Sequence, residues 1–119
     1  MTDLVNAHFK KFYPKNLDPA NMRYTGIGFE YGDRTAETIF PQMVCADGFK
    51  MSVQGHHGAY SYPRDDFADE YKEVEIMCVE EPLFEAVREG NPVGEEFIYP
   101  YIGIQTVLAV IEKHGGLIP

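Results

Sequence analysis

Residues 43–75 read MVCADGFKMSVQGHHGAYSYPRDDFADEYKEVE, and the reading of this stretch decides the fold. Asp47-Gly48 lies between two runs of β-forming residues, which predicts a tight antiparallel hairpin whose positive-φ positions keep the strands from splaying. Met43, Val44 and Cys45 lead in. Phe49, Met51 and Val53 lead out in alternation with Lys50, Ser52 and Gln54, so a period of two sends the first set toward a core and the second toward solvent. In a second alternating run, Tyr71 to Val79, Val74, Ile76 and Cys78 point one way and Tyr71, Glu73, Glu75 and Met77 the other. Between the strands, Gly55 to Asp66 (GHHGAYSYPRDD) holds glycines, a proline and two aspartates that end a ladder. A loop fixed at both ends by strands is how scaffolds position binding residues.

Working outward, Asp3 to Tyr13 reads as a short helix. Leu4, Val5, Phe9, Phe12 and Tyr13 recur near helical spacing, Thr2 or Asp3 can cap its start, and Lys10 and Lys11 suit the negative end of the dipole before Pro14 stops it. Asn16 to Arg23 is a connector. Tyr24 to Tyr31 alternates less cleanly and reads as an edge strand weakened by Gly26 and Gly28. Gly32-Asp33-Arg34 is a turn, and Thr35 to Phe40 leads into the hairpin. On the far side, Pro82 to Gly90 has proline in a first-turn position and glycine past the end, the asymmetry of a short helix. Asn91-Pro92-Val93-Gly94 breaks it, and Phe97 to Ile102 is either a last strand or an extended entry into the final helix. That helix, Ile104 to His114, has Ile104, Val107, Leu108 and Ile111 on one face, with Gly115 as its C-cap. The expected fold is α+β: a small, mostly antiparallel sheet of three to five strands with the N- and C-terminal helices packed on it, all in one domain spanning 1–119.

Composition supports a packed chain. Of 119 residues 45% are hydrophobic, with eight Tyr, eight Phe and no Trp, which argues against disorder. No apolar run reaches the ~18 to 20 residues needed to cross a bilayer, and Met1-Thr2-Asp3-Leu4 lacks the basic-then-apolar order of a signal peptide. The expected location is the cytoplasm, with no membrane partner. There Cys45 and Cys78, both on strands, read as small buried side chains rather than a disulfide. Net charge is −9, and from Asp65 to Phe97 twelve acids stand against Lys72 and Arg88 alone. Such a field repels phosphate backbones, which disfavours direct nucleic-acid binding. It serves either solubility or a basic partner, including the case of a nucleic-acid mimic that occupies a host nuclease.

Several words of the sequence, ADGFKMSVQ (46–54), Tyr60 with Tyr62-Pro63-Arg64, Val74-Glu75-Ile76, Tyr99-Pro100-Tyr101-Ile102 and Val110 to Gly116, resemble a family of small proteins encoded by bacteriophages and prophages. The resemblance covers residues 40 to 117. It implies a genomic context and a bacterial host cytoplasm, and it implies no catalytic residues. His56-His57 is not part of that pattern.

The candidate chemistry is sparse. Adjacent histidines tend to point apart, and no HxH, HExxH or Cys/His spacing accompanies His56 and His57, so no metal and no cofactor is expected. No GxSxG, P-loop or dinucleotide-binding pattern is present, and a run of twelve acids makes a neighbouring pair such as Asp65-Asp66 unavoidable. Catalysis is therefore not expected. The group that stands out is Tyr60, Tyr62 and Arg64, with Gln54, His56, Tyr99 and Tyr101: tyrosines offer flat stacking surfaces and an arginine fork binds phosphate or carboxylate in two-pronged fashion. The alternative is that the tyrosines cover the sheet and Arg64 pairs with Asp65, Asp66 or Asp69. The favoured function is a non-enzymatic phage-type accessory protein, a counter-defence protein that sequesters a small anionic, nucleotide-like signal or blocks a host effector protein. A structural or self-assembling homo-oligomer is the other class.

Overall fold

A computed structural model describes residues 2–13, 22–24, 29–31 and 39–118. In chain order the elements are α1 (Leu4–Lys10), β1 (Met22–Tyr24), β2 (Phe29–Tyr31), β3 (Met43–Val44), β4 (Lys50–Gln54), β5 (Glu73–Cys78), α2 (Pro82–Glu85), β6 (Asn91–Val93), β7 (Glu96–Gly103) and α3 (Ile104–Lys113). Five strands form one antiparallel sheet in the order β3-β4-β5-β7-β6, and β1 pairs with β2 in a separate ladder. The fold is α+β, as the alternation of apolar residues and the flanking helical periods predict.

The hairpin forms at Asp47-Gly48, but by a different turn. The Gly48 N–H donates to Cys45 O and the Cys45 N–H to Phe49 O, which makes a three-residue connection. Only Gly48 has positive φ (+93°), while Asp47 instead accepts the Phe49 N–H on its carboxylate. This is the turn-plus-bulge solution, in which one left-handed residue suffices. Of the strand expected over Tyr24 to Tyr31, Tyr24 ends β1 and Phe29–Tyr31 is β2, the two pairing antiparallel with Met22 opposite Tyr31 and Tyr24 opposite Phe29, while 25–28 lies outside the described residues. The expected connector at Asn16 to Arg23 is in part strand, and its remainder, with the turn at 32–34 and the lead-in over 35–38, lies outside the described residues.

Two further differences occur after α2. Asn91 to Val93, expected only to break the helix, is the edge strand β6, paired through Pro92 with Phe97. Proline is tolerated there because an edge strand has one side with no ladder to serve. Phe97 to Ile102 lies within β7, the central partner of both β5 and β6. The α2 helix is one turn long, with Pro82 at its start and Glu81 as its cap.

The core lies on one side of the sheet. On β5, Val74, Ile76 and Cys78 are fully buried while Glu73, Glu75 and Met77 are half-buried, so the alternation holds as read. Against the buried face, α3 sets Ile104, Val107, Val110 and Ile111, with Leu108 partly exposed at the margin. The α1 helix contributes Val5 and Phe9, and Phe9 stacks on Phe40 at 4.4 Å and meets the Tyr71 ring edge-on at 5.4 Å. Leu4 and Phe12, read as part of the apolar stripe, are exposed. Both cysteines are buried and free. Among the described residues no helix is long and apolar enough to cross a membrane.

Two features fix the ends of the loop between β4 and β5. Asn6 on α1 donates to Tyr71 O at 3.0 Å and accepts the Tyr71 N–H at 2.7 Å, which clamps the strand entry to the helix. At the other end Gly55 lies so close to the Tyr71 ring that a Cβ there would sit 2.7 Å from its Cδ1. Only glycine permits that approach.

Candidate functional site

The loop from Gly55 to Asp66 has two sides, and its backbone is sewn to the sheet between them. Tyr62 bridges Glu73, with the Tyr62 N–H donating to Glu73 O at 2.9 Å and Lys72 N–H returning to Tyr62 O at 2.8 Å. The Tyr101 N–H donates to Tyr60 O at 3.0 Å. That donor is available because of a bulge: Val74 pairs with Ile102 and Ile76 with Tyr99, so β7 has one residue more than β5 across the same interval. Pro100 falls in the bulge, where its missing N–H costs no ladder bond. Tyr101 takes φ +51°, the left-handed region, and is thereby aimed at the loop.

The outer side carries the aromatic group. Tyr60 and Tyr62 are 47% and 59% exposed, and the Tyr60 and Tyr101 rings lie 5.9 Å apart at 51°. The Arg64 guanidinium lies over the Tyr60 ring, 5.3 Å from its centroid, within cation–π range. Its pairing with Asp65, Asp66 or Asp69, the structural alternative, is not what forms: among the described residues no carboxylate is within ion-pair distance of Arg64, and its buried Nε has no hydrogen-bond partner. Glu75 Oε2 accepts the Tyr60 N–H at 2.9 Å.

The structure separates three of the expected site residues from this surface. Gln54 is buried, and its amide accepts the Phe40 N–H at 2.8 Å and donates to Phe40 O at 2.9 Å, a two-point clamp on the incoming chain. Tyr99 is fully buried against Phe84, with its hydroxyl donating to Glu85 Oε1 at 2.7 Å. His56 faces inward and accepts the Gly58 N–H on Nδ1 at 3.0 Å. Burial lowers its pKa, as do the neighbouring charges of His57 and Arg64, while Asp66 works the other way. Tyr71 too was expected on the open face but is buried, its hydroxyl bonded to Asp65 O and to the Ala68 N–H.

The inner side holds a cluster that the sequence hides. Asp66, lost to view in a run of acids, turns inward and is 1% exposed. Its Oδ1 accepts the His57 N–H at 2.9 Å and lies 2.8 Å from His57 Nδ1, while Oδ2 has no partner. His56, His57 and Asp66 each offer a ligand atom, all within 4.8 Å of one another. Adjacent histidines do diverge, with ring planes 64° apart, but a third residue nine positions on closes the set. The signal available in sequence was an acid at the far end of the same loop that carries both histidines. The thiols offer no comparable chemistry: burial pushes Cys45 up and Cys78 up to about 12, so neither is a ready thiolate.

Comparisons of the chain with protein-family models, with curated proteins and with solved structures return no match, so a functional reading rests on the site's own geometry.

Proposed function

We propose that this protein is a non-catalytic binding module that captures an anionic group of another molecule between Arg64 and the Tyr60, Tyr62 and Tyr101 rings. One observation supports this above others: in a chain of net charge −9, the Arg64 guanidinium stacks on Tyr60 with no carboxylate partner among the described residues. An arginine surrounded in sequence by Asp65, Asp66 and Asp69 would ordinarily be neutralised by one of them. Held instead over an aromatic face, its fork is free for a phosphate or carboxylate, while the neighbouring rings suit a planar base. A nucleotide-class ligand fits both demands. The resemblance to phage-encoded proteins favours a host signal of that class in the bacterial cytoplasm, with sequestration as the biological effect.

A second reading, an acidic segment of a host protein, is favoured by the exposure of Tyr60 and Tyr62, which stand out from the loop as interface tyrosines do. A groove of about 480 Å³ lies elsewhere, lined by residues of α1 and the C-terminal segment, including Leu4, Phe12 and Ile118.

Thermal shift with a panel of cyclic mono- and dinucleotides tests the first reading, because a ligand that binds only the native state raises Tm. The expected result is a concentration-dependent rise that is lost in Arg64→Ala and largely lost in Arg64→Lys, with unliganded Tm little changed. No shift with any nucleotide, together with retained binding of an acidic peptide, supports the second reading. A large fall in Tm for Arg64→Ala with ligand binding intact removes both.

A further inference from the structure

We infer that His56, His57 and Asp66 form a binding site for one divalent ion of the zinc or cobalt class, on the inner side of the loop. Two observations meet here. The first is the geometry: two imidazoles and a carboxylate offer ligand atoms within 4.8 Å of one another. At metal–ligand bonds of about 2.0 to 2.2 Å, tetrahedral angles place ligand atoms ~3.3 Å apart, so even the widest pair closes by side-chain rotation of roughly 1.5 Å. The second is Asp66 Oδ2, an acceptor on a side chain with no exposed surface and no hydrogen-bond partner. A buried carboxylate oxygen left alone is costly, and the deficit is one that a cation would meet.

The ligand types set the ion class. Imidazole nitrogen and carboxylate oxygen in a 2:1 ratio suit zinc, cobalt, nickel or ferrous iron rather than calcium or magnesium, which take oxygen donors. Three protein ligands leave a coordination position open for water or an anion. His57 is already oriented, since its own N–H and its Nδ1 both lie against Asp66 Oδ1. Ligation by Nδ1 replaces that second contact with the ion. On His56 the Gly58 N–H now occupies Nδ1, so ligation through Nε2 keeps this bond and ligation through Nδ1 gives it up. Gly58 is exposed, so water takes its N–H. Arg64 adds positive charge beside His56, which opposes a cation and favours an anionic fourth ligand.

The test is a titration of the full, untagged chain, stripped with chelator, using Co²⁺ followed by visible absorption and Zn²⁺ followed by calorimetry. One ion per chain is expected, with the Co²⁺ bands of a nitrogen- and oxygen-ligated site. Asp66→Asn and His57→Gln should each weaken binding by at least the ~10- to 100-fold typical of lost outer-shell partners, whereas His8→Gln and His114→Gln leave it unchanged. Circular dichroism checks that each variant is folded, and His57→Gln stands in if Asp66→Asn is not. Absence of uptake by the parent chain, or uptake unaltered in a folded His57→Gln, overturns the site.

Discussion

His114 Nε2 lies 2.8 Å from Glu81 Oε1, a contact that ties the end of α3 to the residue capping α2. On its other side Nδ1 meets Asp47 Oδ2 at 2.6 Å, and the ring stacks on Phe49 at 4.1 Å with planes 8° apart. Only the doubly protonated ring can donate to both carboxylates, so the two contacts are complete as hydrogen bonds when His114 is an imidazolium. The Glu81 hydrogen bond, followed by that of Asp47, raises the His114 pKa against the opposing effect of burial.

The sign of the pH effect follows. A group whose pKa is raised on folding stabilises fully below its unfolded value, ~6.5 for histidine, and that contribution fades as pH climbs through the folded value. Glu81 is shifted down: burial pushes it up, but the Leu83 N–H, His114 and Lys113 together outweigh that. Asp47 is lowered chiefly by the Phe49 N–H and then by His114. Their contributions are present above ~4 to 4.5 and fade at lower pH. The clasp is therefore complete between about pH 4.5 and 6.5. His56, its pKa depressed, acts in the opposite sense over neutral pH, so the diagnostic quantity is a difference between variants. In urea denaturation the stability gap between the parent and His114→Gln should be larger at pH 5.5 than at pH 8.5. A gap that does not change with pH rules out a charged His114 as the clasp.

Gln54 offers a test of structural against binding roles. Its amide satisfies both backbone groups of Phe40, which is itself 3% exposed. In Gln54→Ala a buried donor and a buried acceptor lose their partners at about 1 to 3 kcal/mol each, so a loss of roughly 2 to 6 kcal/mol is expected. Gln54→Glu should fare little better at neutral pH, because a carboxylate cannot donate to Phe40 O. Chemical denaturation measures the cost. Near-parent stability in Gln54→Ala, accompanied by lost ligand binding, would return Gln54 to the binding surface.

These cases show where the sequence is readable. Met51, Val53, Val74, Ile76 and the α3 stripe follow periods of 2 and 3.6 because their partners are whole apolar faces, and any neighbour of the right size will do. Gln54, Tyr71, Tyr99 and Asp66 break the pattern. Each is polar or amphipathic and is drawn inward by one specific partner 6 to 14 residues away: Phe40, Asp65, Glu85 and His57 respectively. A period cannot encode a partner. The Tyr60, Tyr62 and Arg64 group was legible because its members are local. The role of Tyr101 depends on a bulge that only strand pairing reveals.

Thiol chemistry provides a separate check on the core. Cys78 is fully buried on β5, and burial, with Glu81 and Glu96 adding to it, pushes its pKa up to about 12. At pH 8 the native chain should resist iodoacetamide at Cys78, and labelling should appear only as urea unfolds the sheet. Mass spectrometry of partly labelled samples reads this by site. Rapid native-state labelling of Cys78 would mean that the sheet opens locally.

Tyr101 stores strain at the point where β7 meets the loop, and two variants separate that strain from its ring. An L-residue in the left-handed region costs ~1 to 2 kcal/mol, and Tyr101 sits there at φ +51° while its N–H holds Tyr60 O. Replacing it by alanine keeps the strained backbone and removes the ring that lies 5.9 Å from Tyr60. Replacing it by glycine removes both, at a cost of ~0.4 to 1 kcal/mol in extra unfolded-chain entropy. The relief is the larger of the two, so Tyr101→Gly should be more stable than Tyr101→Ala by on the order of 0.5 to 1 kcal/mol. Ligand or partner binding should fall alike in both, since neither has the ring. If alanine proves the more stable, the bulge is not strained and its left-handed residue does not exist to aim Tyr101 at the loop.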